Sequence, residues 1–517
     1  MRVLFRPGPT EDRMATKFVL FEKVSHRYES MPGLLLHNLS INFSEGWTGV
    51  VGANGAGKTT VLKLACGLLE PRAGHVQLPG SALYCAQRTD DVPGLFESLI
   101  EARDHLASEV KGRLGIENDW ARRWKSLSHG ERKRAQIAVM LWQQPAVLAL
   151  DEPTNHIDAD ARAMLIPALR DYRGIGLLVS HDRDLLDMLC HRCLFINPPD
   201  VVMRPGNYSS GRREALREEE YARTRKELAK RHVARLKTEA QRRISQARDA
   251  DRKRSKKGLD PRDHDRRARI DLARLTGADG RAGKSARQMQ ARLEQAREAG
   301  EGIKIRKQYE LGIWLEGERC RRDTLFRLRA GTIPLGSARE LHYPGLTMLP
   351  RDRIALTGAN GSGKSTLVRH ILSTIDLPVE RLTYLPQEID LRSSCEILAE
   401  VRRQPSEMLG KIMTVVSRLG SRPARLLESV EPSPGELRKL LLGLGIASQP
   451  HLIIMDEPTN HLDLPSIECL EEALEDCPCG LLLVSHDEQF LRRLTQTRWH
   501  IATTPMGPPG RMLLEIL

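Results

Sequence analysis

Gly52-Ala53-Asn54-Gly55-Ala56-Gly57-Lys58-Thr59-Thr60 (GANGAGKTT) returns later in the chain as Gly358-Ala359-Asn360-Gly361-Ser362-Gly363-Lys364-Ser365-Thr366 (GANGSGKST). The repetition widens on both sides. DEPTNHID at residues 151–158 returns as DEPTNHLD at residues 456–463, and LLVSHD ending at Asp182 returns ending at Asp487. Ser128 and Ser433, Asp151 and Asp456, and His181 and His486 are each 305 residues apart, and Lys58 and Lys364 are 306 apart. A period this constant means two copies of one domain. A chain of 517 residues is in any case too long for a single core.

Each copy reads as α/β. Val50 and Val51 close an apolar strand before the first glycine loop, and residues 61–69 are expected to continue as a helix after it. Residues 146–150 and 452–455 are apolar runs of buried-strand length, each ended by acids. Ligands of such sheets gather at the carboxyl ends of the strands, so the acidic pairs stand where chemistry is done.

The residue types fit the handling of a nucleoside triphosphate. Glycines let backbone N–H groups wrap phosphates, the start of the next helix favours anions, and the lysine neutralises terminal phosphate charge. Gly52, Gly55, Gly57 and Lys58 serve the first loop; Gly358, Gly361, Gly363 and Lys364 serve the second. The hydroxyls of Thr59 and Ser365 and the carboxylates of Asp151 and Asp456 suit Mg²⁺. Glu152 and Glu457 are placed to orient or deprotonate the attacking water. His181 and His486, each 30 residues after its aspartate, are candidates for contact with the γ-phosphate.

These residues resemble the ATP-binding cassette superfamily over nearly all of both halves. LSHGE at residues 127–131 and PSPGE at 432–436 look like its signature motif, and Gln87 and Gln387 stand at its glutamine position, a ligand of Mg²⁺ and water. The resemblance implies ATP as the nucleotide and a head-to-tail pairing of the cassettes within one monomer. Ser433, Gly435 and Glu436 then complete the site of Lys58, and Ser128, Gly130 and Glu131 that of Lys364. Both signatures depart from the usual pattern, with His129 or Pro434 at the third position and Glu for Gln, and Pro432 replaces the leading leucine. Tyr28 in VSHRYES fits the adenine-stacking place of the first copy, whereas the stretch around Pro334 and Leu335 offers no aromatic residue for the second.

Two cassettes in one chain, the DEPTNH[IL]D wording in both and a charged linker resemble the ABC-F group in particular. That likeness implies α/β P-loop NTPase domains at residues 15–210 and 312–517, joined by a basic α-helical hairpin at 211–311. It also implies action on the ribosome, as a translation factor or in antibiotic resistance, with rRNA or tRNA as the contact.

Residues 211–310 hold 31 Lys and Arg against 17 Asp and Glu, a net of +14 beside +13 for the whole chain. Positive charge gathered in one segment is the footprint of a polyanion partner. Leu216, Tyr221, Leu228, Val233, Leu236, Ala240 and Ile244 fall mostly at helical spacing, as do Met289, Leu293, Ala296, Ile303 and Ile305 in a second stretch reaching Leu311. Gly258, Pro261, Gly277, Gly280 and Gly283 divide the two, which points to an antiparallel hairpin with arms of roughly 60 Å. Its tip is rich in Arg and Lys and lacks aromatic residues, favouring phosphate contact over base stacking. The segments between Gln87 and Ser128 and between Gln387 and Ser433 are too short for a further arm.

No run approaches the roughly 20 apolar residues of a membrane helix, so no direct membrane insertion is expected. Residues 1–13 lack the apolar core of a secretory signal, Met14 is a second candidate start, and a cytoplasmic location follows. Nine irregularly spaced cysteines agree with free thiols in a reducing compartment; Cys190 with Cys193, and Cys477 with Cys479, read as structural. Two other readings share the cassettes: the ATPase subunit of a transporter with a separate membrane protein, and a DNA-directed cassette ATPase.

Overall fold

The computed structural model describes residues 18–29, 33–155, 157–254, 265, 268, 270–272, 280–302, 320–336, 339–389, 391–419, 421, 433–460, 462–503 and 511–517. Met14, most of the expected hairpin tip, Ile303, Ile305, Leu311, the start of the second cassette at 312 and Pro432 lie outside these residues. Two compact units are present, one made of Met1–Gly211 together with Tyr309–Leu517 and the other of Arg212–Gln308.

Within the first unit the two copies share one sheet plan. The first copy orders its strands Ala82–Cys85, Val147–Asp151, Ile175–Val179, Gly46–Gly52, Cys190–Asn197 and Asp200–Pro205. The second repeats the order with Leu382–Leu385, Leu452–Asp456, Gly480–Val484, Arg353–Gly358, Thr497–Thr503 and Arg511–Ile516, then adds Glu340–Tyr343 and Gly331–Pro334. The central strands pair in parallel, and the last strand of each six turns back antiparallel. Val147–Asp151, Ile175–Val179, Leu452–Asp456 and Gly480–Val484 are buried throughout, as strands covered on both faces must be.

The helix after the first loop runs over Lys58–Ala65, shorter than the expected 61–69. Gly67 takes a left-handed φ of 67° and stops it, leaving Leu68 exposed. A second departure concerns the thiols: Cys477 and Cys479 are bonded to each other, their Cα atoms brought to 5.5 Å by the turn after the helix Leu464–Glu475. The other seven cysteines are free, Cys190 and Cys193 among them.

The second unit holds a helix that extends to Arg254 from Tyr208 and a helix Gly280–Glu301. Ala240, Met289 and Leu293 are buried together, with Val233 and Leu236 against them. Arg243 donates to Ser285 Oγ at 2.7 Å. Of the remaining residues of the expected stripe, Leu216, Tyr221 and Leu228 are exposed, and Gly300 lies against Ala229.

One packing constraint belongs to the first copy alone. Trp47 is buried, donates its indole N–H to Leu169 O at 2.8 Å, and lies where a Cβ on Gly176 would come within 2.4 Å of its ring. Gly176→Ala is expected to destabilise the chain by about 1–3 kcal/mol, read from its urea unfolding midpoint.

Candidate active site

The glycine loops owe their shape to the neighbouring strands. A Cβ on Gly52 would meet Ile196 O at 2.3 Å, and one on Gly358 would meet Ile501 O at 2.7 Å. Gly57 and Gly363, at the helix N-caps, have φ of 101° and 102°, where side chains are strained. Ala53, Asn54 and Gly55 stay exposed ahead of the buried Ala56, Lys58 and Thr60; Ala359, Asn360 and Gly361 likewise precede buried Ser362 and Lys364, with Thr366 half-buried. Lys58 Nζ donates to Gly52 O at 2.8 Å, and Lys364 Nζ to Gly358 O at 2.7 Å. Burial lowers both lysine pKa values, opposed by Glu152 and Glu457 respectively.

The acidic pairs end their strands beside these loops. Thr59 Oγ1 donates to Asp151 Oδ2 at 2.8 Å, and Ser365 hydrogen-bonds Asp456. A hydroxyl and a carboxylate held together give the all-oxygen donor set that Mg²⁺ takes, so the residues fit that ion. Gln87 and Gln387 follow the strands that pair directly with those of Asp151 and Asp456.

Glu152 and Glu457 both have φ of 50°, a left-handed conformation that costs a non-glycine residue about 1–2 kcal/mol. It is held by bonds from Glu152 N to Val179 O at 2.9 Å and from Glu457 N to Val484 O at 2.8 Å. The side chains then meet the histidines. His181 Nε2 is 3.1 Å from Glu152 Oε1, and His486 Nε2 is 3.5 Å from Glu457 Oε1 and 3.4 Å from Lys364 Nζ. Burial pushes both carboxyl groups up to about 8, partly offset by Lys58 and Lys364. Burial, then Lys364, pulls His486 down to about 4, so its imidazole is neutral. A carboxyl that titrates near neutrality can take up a proton under ordinary conditions.

The two copies face each other across the sites. A cleft of about 590 Å³ brings Ser128, His129 and Gly130 of the first copy opposite Gly361, Lys364 and Ser365 of the second. Asn360 N donates to Asp158 Oδ2 at 3.4 Å, and at the other end Asn54 N donates to Asp463 Oδ2 at 2.6 Å. Ser433 and Gly435 belong to the helix start that repeats Ser128 and Gly130. Glu131 and Glu436 do something the signature pattern did not suggest: each accepts from the backbone N–H of Ser128 or Ser433, forming a capping box. The S-x-x-E spacing carried that signal.

Tyr28 is half-buried, with its hydroxyl 3.0 Å from Thr60 Oγ1. In the second copy Leu335 packs on Gly363 and Arg339 lines the cleft. Other site residues escaped the sequence reading. Tyr84 donates to Asp151 Oδ2 at 2.8 Å. Lys133 donates to Ala86 O at 2.6 Å and Gln87 O at 3.2 Å, and Arg438 to Gln387 O and, at 2.7 Å, to Glu457 O. A cation at the same place of both signature helices, 305 residues apart, was the available signal.

Because each glutamate pKa is raised on folding, its contribution to stability is complete below the unfolded value of about 4.5 and is lost as pH rises through about 8. Without nucleotide or magnesium, stability is expected to fall between pH 5 and 9. Substituting Glu152→Gln with Glu457→Gln should remove more than about 1 kcal/mol of that fall, measured by thermal unfolding across the pH range.

Known proteins are similar to this chain over both cassettes. The ABC transporter family model matches residues 36–155 and 341–460. Ribosome protection protein VmlR of Bacillus subtilis (strain 168) is 29% identical over 466 residues, covering 87% of this chain and 80% of that protein. Erythromycin resistance ATP-binding protein MsrA of Staphylococcus epidermidis is 25% identical over 495 residues, covering 93% and 97%. Among solved structures, archaeal ribosome recycling factor aABCE1, in complex with ribosomal stalk protein aP1, is similar in fold at a TM-score of 0.61 and 18% identity, covering 95% of this chain and 89% of that one. With two cassettes in one chain, each carrying a phosphate loop, an acidic pair and a signature helix, the protein is an ATPase built on the ATP-binding cassette and is similar in sequence to ABC-F proteins.

Proposed function

We propose that this chain is a cytoplasmic, monomeric ATPase that binds the ribosome and uses cassette closure to position its basic hairpin, in translation regulation or in antibiotic resistance by ribosome protection. The observation that carries the reading is the charge distribution: the net +14 of residues 211–310 against +13 for the whole chain. Such a segment suits the phosphates of rRNA or tRNA. The names of VmlR and MsrA support the same reading by kinship. Among the described residues no helix is long and apolar enough to cross a membrane.

In the proposed cycle Lys58 and Lys364, with the loop amides, hold the phosphates of two ATP molecules. Mg²⁺, held by Thr59, Asp151 and Gln87 or by Ser365, Asp456 and Gln387, supplies charge neutralisation at those phosphates. Glu152 and Glu457 orient the attacking water and take its proton; His181 and His486 bind the γ-phosphate and the adjacent glutamate. Ser128 and Gly130, and Ser433 and Gly435, close the opposite sites, with Glu131 and Glu436 holding the starts of their helices. ATP drives closure only by binding the closed state more tightly.

The test is sedimentation of the Glu152→Gln, Glu457→Gln double variant with ribosomes. Binding should require ATP, weaken at least about tenfold between 50 and 200 mM salt, and disappear when residues 250–285 are deleted. Binding unaffected by ATP would sink the reading. Retention on membranes at high salt would favour the transporter subunit, and ATPase stimulation by duplex DNA the DNA-directed enzyme.

A further inference from the structure

Away from the phosphate loops, the two cassettes are joined by a buried cluster of charges. Arg183, directly after His181 and Asp182, donates to both carboxylate oxygens of Glu471, at 3.0 Å through its Nη1. Its Nη2 also lies 3.3 Å from Asp487, the neighbour of His486. The side chains of Arg183 and Glu471 are only 9% and 1% exposed. Gln489 Nε2 donates to Asp184 Oδ1 at 2.5 Å, adding a second bond across the same boundary.

The cluster breaks the internal symmetry of the chain. At the repeat position of Arg183 the second copy has Glu488, which pairs with Arg498 of its own cassette at 2.8 Å. At the repeat position of Glu471 the first copy has Ile166, packed in its own core. The link therefore exists once per molecule, on one side only. Asp182 and Asp487 each cap a helix, accepting from Leu185 N and Phe490 N at 2.9 Å, so neither can shift without moving its helix and the histidine before it.

We propose that Arg183 is a positioning residue that couples the two ATP sites, because one buried guanidinium shared by Glu471 and Asp487 ties the segment bearing His486 to the segment bearing His181. Glu471 keeps Arg493 of its own cassette at 3.2 Å, whereas the carboxylates described around Arg183 lie across the boundary, so parting the two segments leaves that buried guanidinium uncompensated. Loading or emptying one site then changes the histidine geometry at the other. This coupling is a property of the ATPase itself and goes beyond its action on any ribosome.

The test measures ATP turnover of the full chain without ribosomes, so its outcome is separate from that of the sedimentation experiment. Glu152→Gln and Glu457→Gln are introduced singly into the parent and into an Arg183→Met, Glu471→Leu background, which keeps the volume and removes the charges. In the parent, silencing one site should lower total turnover about fivefold or more, beyond the twofold of independent sites. In the apolar background the loss should shrink to about twofold. Arg183→Lys, which keeps the buried charge without the fork, provides the same readout if the apolar pair does not fold, and should lose part of the excess. A twofold loss already in the parent, or an excess unchanged in the folded variants, overturns the proposal.

Discussion

Asp158 and Asp463 hold the molecule together in two directions at once. In each, one carboxylate oxygen accepts from the first turn of its own helix, Ala161 N at 3.0 Å or Ser466 N at 2.9 Å. The other accepts from the phosphate loop of the opposite cassette, Asn360 N or Asn54 N. An N-cap carboxylate is already fixed in direction by its helix, so the opposite loop meets a preset acceptor. Each nucleotide loop is thereby placed by the other half of the chain.

Strain and burial at the acidic pairs follow from the same architecture. The parallel strands deliver Asp151 and Asp456 to the carboxyl ends of interior strands. The next residue must turn sharply, and its left-handed φ is held by a strand carbonyl across the sheet. That turn buries the Glu152 and Glu457 carboxyls beside histidines instead of letting them reach water, which is why their affinity for protons rises. Lys133 and Arg438 donate from inside the fold to carbonyls of the glutamine loops, and Arg438 partly opposes the rise at Glu457.

The two halves are copies in plan but not in detail. The hairpin ahead of the phosphate loop brings Tyr28 to Thr60 in the first cassette, and Leu335 and Arg339 to the loop in the second. Trp47 against Gly176 has no counterpart in the second sheet, where Leu481 occupies the glycine's place. Arg183 and Glu471 form a link that the reverse direction lacks. These differences give a repeated fold a distinct first and second site, within a chain whose catalytic motifs are nearly identical.

The sequence by itself determined the two-copy plan, the α/β class and the identity of the phosphate loops and acidic pairs, because loop, strand and helix there lie within one short stretch and follow local rules of backbone and charge. It also placed a helical pair between the cassettes, from a stripe that Ala240, Met289 and Leu293 fill. Only the tertiary structure decided what depends on residues far apart in the chain: which loop meets Asp158 and Asp463, that Glu131 and Glu436 turn back to cap their own helices, and that Arg183 finds Glu471. A motif specifies the groups that can bond; distance across the folded chain decides which of them do.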